Sequence, residues 1–325
     1  MKKILLTILI VVVLLVVVGA SYVKFGLPSV GNPPDLHVAL TPERVQHGEY
    51  LANHVTLCMD CHSTRDWKKF SGPMVAGTNG KGGELFDEKV GFPGSFYSKN
   101  ITPANIKGWT DGEIFRAITT GVDKDGNALF PVMPYHNYGK MDKEDIYDII
   151  AYIRTLAPIE NKTPDHNIDF PMNFILNTIP VKASFVQKPA KSDTLNYGAY
   201  LTNAAACMEC HTQVNKGQII PELAFSGGRV FKMPAGEVHS ANITPDKQTG
   251  IGNWTAEQFV TRFKTYSNPA NITDVGANDV NTIMPWTMFA GMDTSDLRSI
   301  YVYLQTLKPI NNHVDHFVTV AQEKK

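Results

Sequence analysis

The chain has 325 residues, room for two domains at ~150 residues each, and 43% of them are hydrophobic against 19% charged. That balance excludes a disordered, collagenous or polytopic membrane protein. Lys plus Arg number 30 and Asp plus Glu 31, for a net charge of -1, so no bulk field would hold nucleic acid, and no nucleic-acid partner is expected. Four cysteines are too few to staple a chain of this length, and they fall in two pairs, Cys58/Cys61 and Cys207/Cys210.

Met1-Lys2-Lys3 opens an apolar run from Ile4 to Ala20 that only Thr7 and Gly19 interrupt. The run exceeds the apolar core of an ordinary secretory signal and is near the lower limit of a spanning helix. Residues 1–24 are therefore expected to be a membrane anchor, with cleavage after Val18-Gly19-Ala20 as the alternative. Lys2 and Lys3 place the short end in the cytoplasm and the body on the periplasmic, extracytoplasmic side, single-pass in the cell membrane. Residues 25–40, with Pro28, Pro33 and Pro34, read as a tether.

The body is one unit written twice. Gly48-Glu49-Tyr50-Leu51 returns as Gly198-Ala199-Tyr200-Leu201, and Cys58-Met59-Asp60-Cys61-His62 as Cys207-Met208-Glu209-Cys210-His211. Phe70-Ser71-Gly72 is matched with Phe225-Ser226-Gly227, Asn100-Ile101-Thr102-Pro103 with Asn242-Ile243-Thr244-Pro245, and Trp109-Thr110 with Trp254-Thr255. Met133-Pro134-Tyr135 then matches Met284-Pro285-Trp286, and a constant offset carries Met141, Tyr152 and Leu156 onto Met292, Tyr303 and Leu307. The second copy has an insertion around Tyr266 to Val280, expected to be a surface loop.

Each copy predicts short helices joined by long loops. Thr110 with Glu113 and Thr255 with Gln258 fit capping boxes. Asp142 precedes a stripe at Ile146, Ile149, Ile150, Ile153 and Leu156, and Asp293 one at Leu297, Ile300, Tyr301, Leu304 and Leu307. No segment alternates over the length of a strand. The units are drawn at residues 41–159 and 194–325. Residues 160–193, with four prolines and the apolar piece Phe170 to Val181, read as a strap packed between them.

CxxCH reads as c-type haem attachment, because two thiols one helical turn apart can add to the two vinyl groups of one porphyrin. His62 and His211 are then proximal iron ligands and the cofactors are two covalent haem c groups. A four-Cys zinc site would need its pairs within one unit, and a thioredoxin-like pair would need a βαβ pattern; neither is present. For the sixth ligand, Met133 and Met284 recur in loops held extended by the following proline. Met141 and Met292 also recur, but each precedes an Asp N-cap, where it packs on Ile146 or Leu297 as a helix staple. His54 and His136 have no repeated counterpart, and His37, His47, His166, His239, His313 and His316 read as surface residues. An indole N–H beside a haem needs an acceptor such as a propionate; a core role fits Trp109 and Trp254 equally. The Asn-x-Thr matches at Asn100, Asn161, Asn242 and Asn271 read as incidental.

With CxxCH, Asn-Ile-Thr-Pro, Trp before a helix and Met-Pro-aromatic before a last helix, each half resembles a class I cytochrome c domain. The whole resembles a membrane-bound diheme cytochrome c, similar to the cytochrome c subunits of bacterial alcohol and gluconate dehydrogenases. That resemblance implies a mainly α fold of two tandem domains after a membrane helix, and axial ligation by Met133 and Met284. It also implies single-electron transfer without catalytic residues, to or from a dehydrogenase subunit, a quinol-oxidising complex or a terminal oxidase. It departs in number, since the dehydrogenase subunits often carry three haem motifs. A diheme peroxidase is the alternative, and it would require halves that differ at the sixth ligand.

Overall fold

A computed structural model describes residues 1–319; residues 320–325, placed above in the second unit, lie outside the described residues. The chain is 41% helical. Lys2–Ser21 is a helix that continues through a wider turn, Tyr22–Gly26, and none of its residues is buried against the body. At about 1.5 Å per residue, the 25 residues of Lys2–Gly26 are long and apolar enough to cross a membrane.

In each half the first helix crosses the last. Pro42–Tyr50 lies on Lys143–Thr155, and Thr194–Ala204 on Thr294–Leu304. The crossing explains the repeated glycines. A Cβ on Gly48 would lie 1.8 Å from the Asp148 carbonyl oxygen, and one on Gly198 would lie 1.9 Å from that of Ser299. Both capping boxes form, at Thr110/Glu113 and at Thr255/Gln258. Asp142 caps its helix through the Glu144 N–H, whereas Asp293 makes no side-chain cap. Met141 and Met292 are buried in the core with Ile146 and Leu297, as staples require.

Strands are present, contrary to the sequence reading. Leu85–Phe86, Gly94–Tyr97 and Asn167–Ile168 form one antiparallel sheet; Val230–Met233, Gly236–His239 and Phe317–Thr319 form its counterpart. At two to four residues each they are too short to show a period. Gly94 pairs with Ile168 and Gly236 with Thr319, so residues 167–168, drawn in the strap, continue the first half's sheet.

One repeat match is also corrected. Gly82 N–H donates to the His62 carbonyl at 2.8 Å, as Gly227 N–H does to that of His211, and Gly83 and Gly228 donate to Ser98 and Ser240. The structural partner of Gly227 is therefore Gly82, not Gly72. Phe70-Ser71-Gly72 instead belongs to an insertion of the first half that docks on the insertion of the second. Phe70 N–H donates to the Thr273 carbonyl, Val275 N–H to that of Lys68, and the Phe70 ring stacks on Tyr266 at 5.5 Å. The loop lies at the surface as expected, and it is pinned along one edge.

The halves meet through an isologous contact. Tyr50 Oη donates to Asp296 at 2.7 Å and accepts from the Asp293 N–H; Tyr200 Oη donates to Asp145 at 2.5 Å and accepts from the Asp142 N–H. The strap contributes Lys188 to Asp145 and Lys191 to Asp296. Farther along the strap, Phe170 is 84% exposed and Leu176 is buried.

Because each glycine faces backbone, which cannot swing aside, Gly48→Val or Gly198→Val should destabilise the protein by about 3 kcal/mol or more. Urea unfolding of each variant checks this; exposed Gly126, where a Cβ meets nothing within 4 Å, gives the control Gly126→Asn.

Candidate functional site

Each CxxCH motif is a single helical turn, Cys58–Cys61 or Cys207–Cys210, preceded by a non-glycine residue in the left-handed region, Leu57 at φ 56° and Ala206 at φ 50°. That sharp reversal costs on the order of 1 kcal/mol and turns the chain into the motif. Cys58, Cys61 and His62 line a cavity of about 2100 Å³ that Cys207, Cys210 and His211 also line. The repeat therefore brings both motifs onto one continuous space.

The two histidines are held alike. His62 Nδ1 lies 2.7 Å from the Lys99 carbonyl and His211 Nδ1 lies 2.8 Å from that of Ala241. A carbonyl only accepts, so Nδ1 carries the proton in both rings and the Nε2 lone pair is left for a ligand. Glycine makes room for this arrangement. A Cβ on Gly82 would meet the Lys99 carbonyl carbon at 2.5 Å, and one on Gly227 would meet that of Ala241 at 2.4 Å. Both residues have positive φ, 70° and 72°.

The Asn-Ile-Thr-Pro segments fix the stretch of chain after each strand that carries those carbonyls. Asn100 Oδ1 accepts from the Thr102 N–H and hydroxyl while its amide donates to the Ile159 carbonyl; Asn242 does the same with Thr244 and Ile310. Both asparagines are buried, which accounts for the repeated motif and removes them as glycosylation acceptors.

Burial lowers the pKa of both imidazoles, which keeps them neutral as metal ligation requires. Burial raises all four thiols, that of Cys207 to about 12. The cysteines are free, unpaired thiols. Asp60, inside the first motif, is pushed up to about 6 by burial, against the opposing effect of Arg65 at 3.1 Å.

Met133 and Met284 line the same cavity, and Met141 and Met292 do not. Trp109 lines it as well, whereas Trp254 is 38% exposed. Neither His54 nor His136 is among the lining residues; His54 instead donates from Nδ1 to the Met288 carbonyl across the contact between the halves.

His166, read above as a surface residue, lines the cavity. Its Nδ1 accepts from the Tyr97 N–H at 3.2 Å, so its proton sits on Nε2. That is the opposite tautomer to His62 and His211, and it makes His166 a donor to the cavity rather than a metal ligand. Arg65, stacked on Trp67 at 4.1 Å, and Arg229, near Phe231 at 5.5 Å, add cations to the wall. Their separation from the motifs differs between the copies, so the repeat could not reveal them.

Ser71 acts on the Met284 loop from the other half, and Asn281 of the loop's own half holds it there. Buried Ser71 donates from Oγ to the Met284 carbonyl at 2.7 Å and accepts from the Trp286 N–H at 3.0 Å. Asn281 Oδ1 accepts from the Ser71 N–H at 2.9 Å. Both methionine loops are also closed within their own halves, by the Tyr135 N–H donating to the Met133 carbonyl at 2.7 Å and the Trp286 N–H to the Met284 carbonyl at 2.8 Å.

Paired neutral thiols one turn apart, an imidazole fixed through Nδ1 with Nε2 free, and a thioether on the same cavity form a donor set that fits a c-type haem in each half.

No family model matches the chain. It is 30% identical to the fructose dehydrogenase cytochrome subunit of Gluconobacter japonicus over 236 residues, 68% of this chain and 44% of that one. Over 298 residues it is 26% identical to the alcohol dehydrogenase (quinone) cytochrome c subunit of Gluconacetobacter polyoxogenes, covering 87% and 59% of the two chains. Against a diheme cytochrome c-type protein of Cereibacter sphaeroides, identity is 27% over 227 residues, 67% of this chain and 73% of the other. The chain is homologous to cytochrome c subunits. It spans about half the length of the dehydrogenase cytochrome subunits it matches.

The Ser71 bridge makes a specific prediction for this cytochrome homologue. Ser71→Ala would remove one of the two partners of the Met284 carbonyl and of the Trp286 N–H, which stay bonded to each other at 2.8 Å, at a cost of about 0.5–1.5 kcal/mol. Hydrogen exchange at the Trp286 amide should accelerate while exchange at its counterpart Tyr135 stays as in the parent protein.

Proposed function

We propose that the chain is a diheme c-type cytochrome that carries single electrons, with two tandem class I domains behind an N-terminal membrane anchor. The observation that carries this reading is the matched pair of CxxCH turns on one cavity, each with its histidine Nδ1 donating to a backbone carbonyl. Cys58 and Cys61 would hold one haem by thioether bonds and His62 would bind its iron; Cys207, Cys210 and His211 would hold the other. Met133 and Met284 are the proposed axial ligands.

When bound, haem iron supplies a one-electron ferric/ferrous couple. The residues of the chain then do four things. The Nδ1–H bonds raise the basicity of Nε2 and fix each ring. Met133 and Met284 would each offer a thioether to the iron, a ligand that would raise the potential and suit a carrier. Arg65, Arg229 and the Nε2–H of His166 offer cations and a donor for propionate carboxylates. Because both motifs line one cavity, the two haems would share it, which would shorten the path of an electron between them.

The relatives' names support a dehydrogenase as the electron-donating partner, with this chain as its cytochrome component and not its catalytic one; the chain would pass electrons on to a quinol-oxidising complex or terminal oxidase. Lys2–Gly26 would anchor it in the cell membrane with the body outside the cytoplasm. A peroxidase reading gains nothing from these relatives, and both halves retain Met-Pro-aromatic.

An anaerobic titration of the purified protein should show two one-electron steps with two haems per chain, and a single step would overturn the proposal. Met133→Ala and Met284→Ala should each abolish the methionine-to-iron absorption of one haem and lower its potential. Met141→Ala or Met292→Ala should leave both bands intact and cost about 2–4 kcal/mol of stability, read by urea unfolding. Loss of a ligation band in either staple variant would reverse the assignment.

A further inference from the structure

The strap segment Phe170 to Val181 contains twelve consecutive residues without a charge, yet the body buries little of its apolar surface. Phe170 is 84%, Ile175 43% and Phe174 37% exposed, while Leu176 beneath them is buried. The segment is not loose. Its short helix Met172–Ile175 and the following turn Leu176–Thr178 pack against Tyr22–Gly26, and Asn177 Nδ2 donates to the Val23 carbonyl at 3.2 Å. The Asn177 amide thus fastens an exposed apolar ledge to the last turn of the helix that is long enough to span a bilayer. Tyr22 and Phe25, on that same turn, are 61% and 81% exposed.

We infer that Phe170, Phe174 and Ile175 form a foot that seats in the headgroup–acyl boundary of the membrane beside the anchor, so that the body contacts the bilayer at two places. This rests on the reading of Lys2–Gly26 as a membrane span. A bilayer that accepts the span brings its boundary to Tyr22–Gly26, the level at which the foot is fastened. Aromatic rings are favoured at that depth, where they replace structured water without losing a charge to the hydrocarbon. An exposed apolar patch flanked by Asp169 and Lys182, outside the apolar stretch on either side, has the composition of a shallow insertion and not of a second span, which needs ~20 residues. A single helix joined to the body by a tether would let the body tilt freely; a second contact fixes which face looks towards the membrane.

The test uses the full-length haem-loaded protein in vesicles of phosphatidylcholine and phosphatidylglycerol that contain a phosphatidylcholine with a diazirine on its acyl chain. After irradiation, labelled peptides are mapped by mass spectrometry. Label is expected on the Ile4–Val18 peptide and on the Phe170–Leu176 peptide, and not on Val230–His239, a hairpin far from the anchor in sequence. In a variant carrying Phe170→Ser, Phe174→Ser and Ile175→Ser, foot labelling should fall about fivefold or more relative to the helix peptide, with the haem absorbance of the parent. Label on the helix but not on the foot overturns the foot while leaving the anchor in place. Absence of label on the helix overturns the anchor reading instead. Equal foot labelling in parent and variant shows that these three side chains are not what seats it, and also overturns the inference.

Discussion

The relative placement of the two halves depends on one exchange: each half lends a tyrosine hydroxyl to the start of the other's last helix. Asp145 and Asp296 are almost fully buried, and a buried carboxylate without partners is costly enough to forbid the packing. Tyr200 and Tyr50 each supply a donor to that carboxylate, and the same hydroxyl accepts the N–H of the N-cap residue, a group at a helix start that has no partner within the helix. One phenol thus satisfies two groups that would otherwise oppose burial. Because the exchange is reciprocal, it fixes rotation as well as distance, and the CxxCH turns that follow Tyr50 and Tyr200 in the chain are brought to a common cavity.

The strap completes this arrangement. Lys188 and Lys191 sit three residues apart and reach different halves, Asp145 and Asp296 respectively. Neither lysine belongs to the repeat. Two copies of a unit that carries a buried acid need two extra cations where they meet, and a connecting segment used once can supply both without disturbing either copy. Its proline content suits the task, since an extended chain without regular hydrogen bonding presents side chains to both sides.

Much of this was legible in the sequence, and what was legible shares a physical character. Both CxxCH turns, both capping boxes and the staple position of Met141 and Met292 each involve residues within about one or two helical turns, and the N-terminal apolar run is contiguous in the sequence. What was not legible is long-range or too short to have a period. The strands are two to four residues long, and no alternation is visible at that length. Ser71 lies more than two hundred positions from the loop it bonds, and its three-letter likeness to Phe225-Ser226-Gly227 pointed to the wrong partner. In the sequence His166 reads as a surface residue together with five other histidines. The exchange of carbonyl acceptor for N–H donor at Nδ1, which separates it from His62 and His211, exists only in three dimensions. The repeat held no signal for His166, because the strand pairings that match Ile168 with Thr319 place Phe317 at its position.

The repeat also shows where the halves are free to differ. Residues that fix backbone against backbone recur without change: Gly48 and Gly198 at the helix crossing, Gly82 and Gly227 behind the histidines, Asn100 and Asn242 holding the stretch of chain after the strand. At the four glycines no side chain is accommodated, because the space is bounded by main chain. The groups around the cavity rim, Arg65, Arg229 and His166, and the supports of the methionine loops follow no such rule. Both methionine loops close on themselves, and the Met284 loop is bonded in addition to Ser71 of the other half. A strain placed on the first half's insertion is therefore transmitted to the backbone of Met284 through a hydrogen bond, while strain on the second half has no matching bond to Met133 through which to act. Two centres built from the same motif can in this way acquire different environments without any change in the residues that would bind the iron.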